Sequence, residues 1–179
     1  MTFKETKIKG CFVLNVQIFT DERGIFFESL KKNELEKTLG YKVNFVQENQ
    51  SVSHKGVLRG LHFQKGDAAQ AKLLRVVKGN VLDVVVDLRK DSLTYGQHIK
   101  VQLSAENRKS IFIPKGMAHG FLALSKEVVL TYKCDNYYAP EKESGIVYND
   151  NDLSIDWGFK SSDLIISPKD IELPNFSVL

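Results

Sequence analysis

The chain has 179 residues, with 25 Lys and Arg against 22 Asp and Glu for a net charge of +3. No Lys/Arg run exceeds a pair, which leaves no footprint for nucleic acid or an anionic membrane. Two cysteines, Cys11 and Cys134, in no CxxC pattern exclude a disulfide scaffold or zinc ribbon. The start MTFKETKIKG lacks a signal-peptide core and no apolar run approaches a membrane span, so a soluble, cytoplasmic protein is expected.

In chain order, SLKKNELEKTLGYK predicts a helix, with Leu35 and Leu39 one turn apart and Gly40 placed to stop it. GVLRGLHFQ, Gly56 to Gln64, reads as a buried strand that nevertheless carries Arg59 and His62. KLLRVVKGNVLDVVVDLR reads as a hairpin turning at Lys78-Gly79-Asn80. GQHIKVQLSAENRKSIFIP supplies two short strands around a polar turn. HGFLALSKEVVLTYKCDNYY reads as a further hairpin, turning at Ser125-Lys126-Glu127. Beyond Asp150, short helical turns are expected around SIDW and SSDLII. No repeat, low-complexity tract or linker divides residues 1–179, which are read as one domain. Many strands with little helix between them predict an all-β sandwich or barrel.

Period-two alternation puts Gly56, Leu58, Gly60, His62 and Gln64 on one face of their strand. Lys72 is in phase with Leu74 and Val76, and Leu130, Tyr132, Cys134, Asn136 and Tyr138 share a face. Arg59 falls out of phase with His62, and a bulge at Gly60 is what could bring both to one site. Packing alone can account for each residue: a satisfied core histidine, a snorkelling lysine, a tyrosine with its hydroxyl at a barrel mouth. For Lys72 and Tyr132 taken singly that account is preferred. A His, a Lys and a Tyr together in strand interiors favour a site.

IPKGMAHGF has the Pro-x-Gly-x-x-His spacing of the second cupin motif, a superfamily whose barrels often hold a metal on three histidines and a glutamate. Where the first cupin motif has His-x-His, this chain has His62-Phe63-Gln64, and Lys72 stands at the glutamate position ahead of Gly79. A cation there repels a divalent ion. The reading is a cupin barrel with no metal.

Six segments then match a family in order across most of the chain: DERGIFFES, VQENQSVSHKGVLRGLHFQ, QAKLLRVVKGNVLDVVVDLR, IPKGMAHGF, TYKCDNYY and ISPKD. Together they resemble the RmlC-type dTDP-4-dehydrorhamnose 3,5-epimerases. The resemblance implies a homodimeric cupin-type jelly-roll β-barrel with a few short peripheral helices, N-terminal strands exchanged between subunits, and neither metal nor cofactor. It implies a dTDP-4-keto-6-deoxy sugar as partner, with dTDP-4-dehydro-6-deoxy-D-glucose inverted at C3 and C5. By the same resemblance His62 is the general base, Asp170 orients it, Lys72 stabilises the enolate oxygen and Tyr132 is the acid on the opposite face. Arg23, Phe26, Glu28, Gln47, Asn49, Arg59, His119 and Tyr138 are implied as the nucleotide-sugar binding set, part of it from the neighbouring subunit. Tyr148 stands where the family often has Trp, and QKGDAAQ and IDWGF are poorer in proline; none of these is a proposed catalytic group. The alternatives are an enzyme inverting only C3 or only C5 of a related sugar, a non-catalytic dTDP-sugar-binding barrel, and a metal-dependent cupin oxygenase.

Overall fold

Strands run through nearly the whole chain in the computed structural model, which describes residues 1–179. The N-terminal part holds β1 (Thr2–Glu5), β2 (Phe12–Asn15), β3 (Ile18–Asp21), β4 (Gly24–Phe27) and α1 (Lys32–Leu39). The middle holds β5 (Gln47–His54), β6 (Val57–Gln64), β7 (Lys72–Lys78), β8 (Asn80–Asp87) and β9 (His98–Ser104). Then come β10 (Ser110–Ile113), β11 (Met117–Ala123), β12 (Glu127–Cys134), β13 (Glu143–Gly145), β14 (Ile165–Ile166) and α2 (Pro168–Ile171). One sheet has the order β1-β2-β10-β7-β12-β5, the facing sheet β13-β6-β11-β8-β9 with β14 added to β6, and β3-β4 pair only with each other. No helix is long and apolar enough to cross a membrane.

The valine run of β8, NVLDVVVD, follows from burial on both faces. Val81 and Val85 point between the sheets, into a core shared with Leu74, Ile111 and Leu130. Val84 and Val86 point the other way, under Leu153, Ile155 and Trp157 of the C-terminal segment. A strand covered on both sides needs no polar face. The first sheet is capped on its outside by α1, whose buried Leu35 packs with Leu14, Leu73 and Phe112. This helix ends as its sequence predicts, with Gly40 left-handed at φ 77° and its N–H donating to the Glu36 carbonyl at 2.9 Å.

The two expected hairpins do not form as hairpins. β7 and β8 lie in opposite sheets, as do β9 and β10, and β11 and β12. Each of these reversals carries the chain across the barrel to the facing sheet. Turn residues report that the chain reverses, but not whether the next strand lies beside the last or steps to the facing sheet. At Gly79 (φ +77°) a Cβ would sit 2.4 Å from the Glu127 carbonyl oxygen, so a glycine is needed where the two crossings meet. Near the C-terminus SIDW forms no helix, while SSDLII gives one 3₁₀ turn, Ser161–Asp163, followed by β14.

The phase of β6 also differs from simple alternation. His119 of β11 lies opposite His62, and Phe121 lies opposite Arg59, so the one residue between them on β11 faces two on β6. This is a bulge. Leu58 and Leu61, one on either side of it, both face the C-terminal cluster, and Arg59 and His62 both line the interior cavity. Gly60 is required at the bulge, because at φ +119° a Cβ would meet Gly120 Cα at 2.6 Å and the His119 carbonyl oxygen at 2.7 Å. Gly60→Ala is therefore expected to cost about 2–4 kcal/mol of stability. The measurement is the denaturation midpoint, and an unchanged midpoint would show that the bulge can relax.

Candidate active site

The C-terminal segment returns to β6 and supplies a carboxylate beneath it. Ile165 and Ile166 pair with Val57 and Leu58, and the Ile165 N–H donates to the Gly56 carbonyl at 2.8 Å. Ser167 then caps α2, its hydroxyl accepting from the Asp170 N–H at 3.2 Å, with Pro168 in the first turn. This places Asp170, 4% exposed, against the bulge. Its Oδ1 is 2.8 Å from His62 Nε2, and its Oδ2 accepts from the Gly60 N–H at 3.0 Å. Burial pushes the Asp170 carboxyl up, but the hydrogen bonds from His62 and Gly60 outweigh it and hold the group below the ordinary aspartate range. With Nε2–H donating to an ionised carboxylate, the imidazole lone pair belongs to Nδ1.

A second imidazole, His119, stands across from His62 on β11, and its Nε2 is 2.8 Å from Oδ2 of the fully buried Asp83. The facing sheet contributes Lys72 from the start of β7 and Tyr132 from β12. The Lys72 ammonium lies 6.0 Å from the centre of the Tyr132 ring. Burial pushes Lys72 down from the lysine range and pushes Tyr132 up from the tyrosine range. Lys72 has no carboxylate at ion-pair distance; Glu143 and Asp83 act on it only through longer-range charge.

His62, Lys72, Arg59, His119, Tyr132 and Asp170 all line one cavity of about 530 Å³. A smaller cavity of about 310 Å³ adjoins it, shares His62, Lys72 and Tyr132, and is walled by Gln47, Asn49 and Tyr138. Of the residues singled out from the sequence, Arg23, Phe26 and Glu28 are not among those lining either cavity of their own chain. Arg23 pairs with Asp21 at 2.6 Å and lines, with Phe26, a separate surface pocket on the β3–β4 ribbon. Glu28 pairs with Lys31 at 2.7 Å.

The cavity walls also hold groups the sequence reading missed. Lys169 lines the larger lobe and Glu143 the smaller. Glu143 accepts from the Tyr138 hydroxyl at 2.7 Å and pairs with Lys169, tying the rim to the residue beside Asp170. Both lie in short elements with no periodic signal. Ser51 and Ser53, by contrast, stand on β5 at a spacing that alternation alone could have placed inside. No three His, Cys, Asp or Glu side chains converge to hold a metal ion, and a cation, Lys72, lines the same cavity.

Asp170→Asn tests the dyad without reference to turnover. The carboxylate satisfies two donors, the Gly60 N–H and the His62 Nε2–H, whereas a carboxamide has one acceptor oxygen. The backbone donor is fixed, so the imidazole is expected to switch tautomer and carry its proton on Nδ1. Nitrogen-15 NMR of the ring reads this directly; an unchanged Nε2–H tautomer would show that Asp170 does not set it.

The family model described as dTDP-4-dehydrorhamnose 3,5-epimerase matches residues 5–177. The dTDP-4-dehydrorhamnose 3,5-epimerase of Escherichia coli K12 is 49% identical over 173 residues, covering 97% of this chain and 93% of that protein. The crystal structure of the same-named protein from Elizabethkingia anophelis superposes with a TM-score of 0.97 at 46% identity, over 99% of this chain and 97% of that one. A dTDP-6-deoxy-D-glucose-3,5-epimerase from Legionella pneumophila, solved in complex with dTDP-4-keto-L-rhamnose, gives a TM-score of 0.94 at 43% identity, over 99% and 94% of the two chains. A match from residue 5 to residue 177 with the same barrel beneath it makes the chain a member of the dTDP-4-dehydrorhamnose 3,5-epimerase family, and so an isomerase.

Proposed function

We propose that the whole chain, as one domain, inverts C3 and C5 of dTDP-4-dehydro-6-deoxy-D-glucose to give dTDP-4-dehydro-L-rhamnose without a cofactor. The observation that carries this is the opposition of His62 on one sheet to Tyr132 and Lys72 on the other, across one cavity. The ligand in the Legionella relative supports the substrate class.

The C4 ketone acidifies the protons on C3 and C5. Nδ1 of His62 takes the proton, the C–H electron pair moves into the ring, and the negative charge gathers on the C4 oxygen. Asp170 stabilises the imidazolium that results. The ammonium of Lys72, which lacks a counter-ion of its own, meets the enolate oxygen as its charge develops. The phenol of Tyr132, kept protonated by burial, then donates its proton to the opposite face of the same carbon. Inversion follows because base and acid stand on different sheets. Arg59, held by its Nε donating to Ser53 Oγ at 3.2 Å, takes the diphosphate together with His119 and Lys169 of the larger lobe.

The nucleotide end is completed in a homodimer. β1 and β2 close on the chain's own β10, so the segment free to exchange is the β3–β4 ribbon. Its apolar side chains are open, with Phe19 49%, Ile25 50% and Phe26 67% exposed. A ribbon of that composition is stabilised by burial against a second copy, where it carries Arg23, Phe26 and Glu28 to the neighbour's cavity.

Incubation with dTDP-4-dehydro-6-deoxyglucose in deuterium oxide, read by NMR, tests the reaction. The wild type places deuterium at C3 and at C5 with inversion; label at a single carbon would assign the chain to the mono-epimerases. His62→Ala is expected to slow exchange roughly 10²-fold or more. Tyr132→Phe leaves a base without its opposing acid, so label should enter with the starting configuration retained. Wild-type exchange rates in His62→Ala would point instead to a binding protein or to another base.

The pH profile tests Lys72. Burial pushes Lys72 down from the lysine range and Tyr132 up from the tyrosine range, so Lys72 is the group expected to limit the alkaline side of kcat/KM. Charge on the bound substrate moves the same limb to higher pH in kcat. Lys72→Met lowers kcat roughly 10²–10³-fold and removes the limb; a limb that survives the substitution belongs to another group.

A further inference from the structure

The segment that carries Asp170 is a closed excursion from the barrel. It starts beside His62: Gly145 of β13 pairs with His62, and Ile146 and Leu61 exchange backbone hydrogen bonds at 2.9 and 3.1 Å. The chain then leaves the sheet, covers it with Leu153, Ile155 and Trp157, and returns to where it began. A neck closes the excursion at three contacts. The Val147 N–H donates to the Pro174 carbonyl at 2.9 Å, and the Phe176 N–H donates to Asp150 Oδ2 at 2.8 Å. The Leu173 side chain seats on Gly145, where a Cβ would lie 2.7 Å from Leu173 Cδ1.

Asp150 is the polar centre of this neck. It is 3% exposed and lines neither cavity of the site. Both of its oxygens are taken by backbone donors: Oδ1 by the Leu153 N–H at 2.9 Å, in the same turn, and Oδ2 by the Phe176 N–H 26 positions on. Burying a carboxylate is costly, and what it offers here over a neutral side chain is two acceptors at once. One shapes the turn by which the excursion leaves, and the other fixes where it comes back. Asp170 lies between that return and β14. A two-residue strand and a four-residue helix do not hold a carboxylate in place by themselves, so its position depends on the neck as well.

We infer that Asp150 is a positioning residue for the reaction: by closing the neck it sets the 2.8 Å contact of Asp170 with His62, and so the imidazole tautomer, from outside the ligand cavity. This rests on the reading of His62 as the base. A shift of the helix by about 1 Å lengthens that contact beyond hydrogen-bond range.

Asp150→Asn separates this role from a merely structural one. A carboxamide has one acceptor oxygen, and the Leu153 N–H in the same turn keeps it, so the Phe176 arm opens. Leu173→Ala loosens the neck from its apolar side and leaves Asp150 in place. Both variants should lower the thermal midpoint by roughly 2–4 °C and speed hydrogen exchange at the Val147 and Ile165 amides more than along the buried β8. In nitrogen-15 spectra of the free protein, the His62 ring should pass from one Nε2–H tautomer to a mixture. Deuterium uptake into the substrate should fall about tenfold or more. Leu35→Ala, under α1 on the other sheet, loses at least as much stability and should keep the wild-type tautomer. An unchanged His62 tautomer in both neck variants, or the same mixture in Leu35→Ala, would overturn the assignment. A wild type that takes up no deuterium would overturn the epimerase reading instead, and the ring spectra would still decide whether the neck sets the dyad.

Discussion

One extra residue in β6 governs the site. Without the bulge, alternation would turn Arg59 and His62 to opposite faces, and the proposed phosphate anchor and the proposed base could not address the same ligand. With it, both enter the cavity, while Leu58 and Leu61 on either side still pack beneath the C-terminal segment. The bulge also turns one backbone donor, the Gly60 N–H, towards Asp170. A single carboxylate from a residue 108 positions away thus completes the backbone hydrogen bonding of the bulge and orients the imidazole that the bulge exposes. Stability of the strand irregularity and poise of the base are one interaction.

The two sheets divide the chemistry between them. The sheet that carries His62 and His119 places each against its own buried aspartate, so its imidazoles come with their negative partners. The facing sheet carries an ammonium and a phenol with no such partner, and burial disfavours the charged form of each. An uncompensated lysine is unfavourable in the resting protein. On the proposed mechanism it becomes favourable at the moment a carbon acid loses its proton and a neighbouring oxygen turns negative. The field for the reaction is built into the fold and needs little reorganisation when charge moves.

What could be read in the sequence divides along physical lines. Local signals held: α1 and its Gly40 stop, the runs that became β7, β8, β11 and β12, and the in-phase triplet Lys72, Leu74, Val76 were all legible. Partnership between strands was not, since Lys78-Gly79-Asn80 looks the same whether the chain folds back beside itself or crosses the barrel. The suspected bulge at Gly60 could be posed from Arg59 and His62 being out of phase, but its proof is a register with β11, which no local pattern encodes. Asp170 was reached only through resemblance, because a 108-residue separation leaves no periodic trace.

The groups proposed to move protons and those proposed to select the ligand sit on parts of the fold with different rigidity. His62, Lys72 and Tyr132 stand on long strands whose neighbours are fully buried: Leu74 and Leu130 beneath the lysine and tyrosine, Leu61 and Leu122 behind the histidine. Such close-packed positions have little room to shift, which proton transfer over hydrogen-bond distances demands. Tyr138, Glu143 and Lys169 lie instead on a loop, a three-residue strand and a four-residue helix, held to each other by side-chain bonds at an open rim. Substitutions there can reshape the mouth without disturbing the barrel beneath it. A change of sugar is therefore easier for this architecture than a change of reaction.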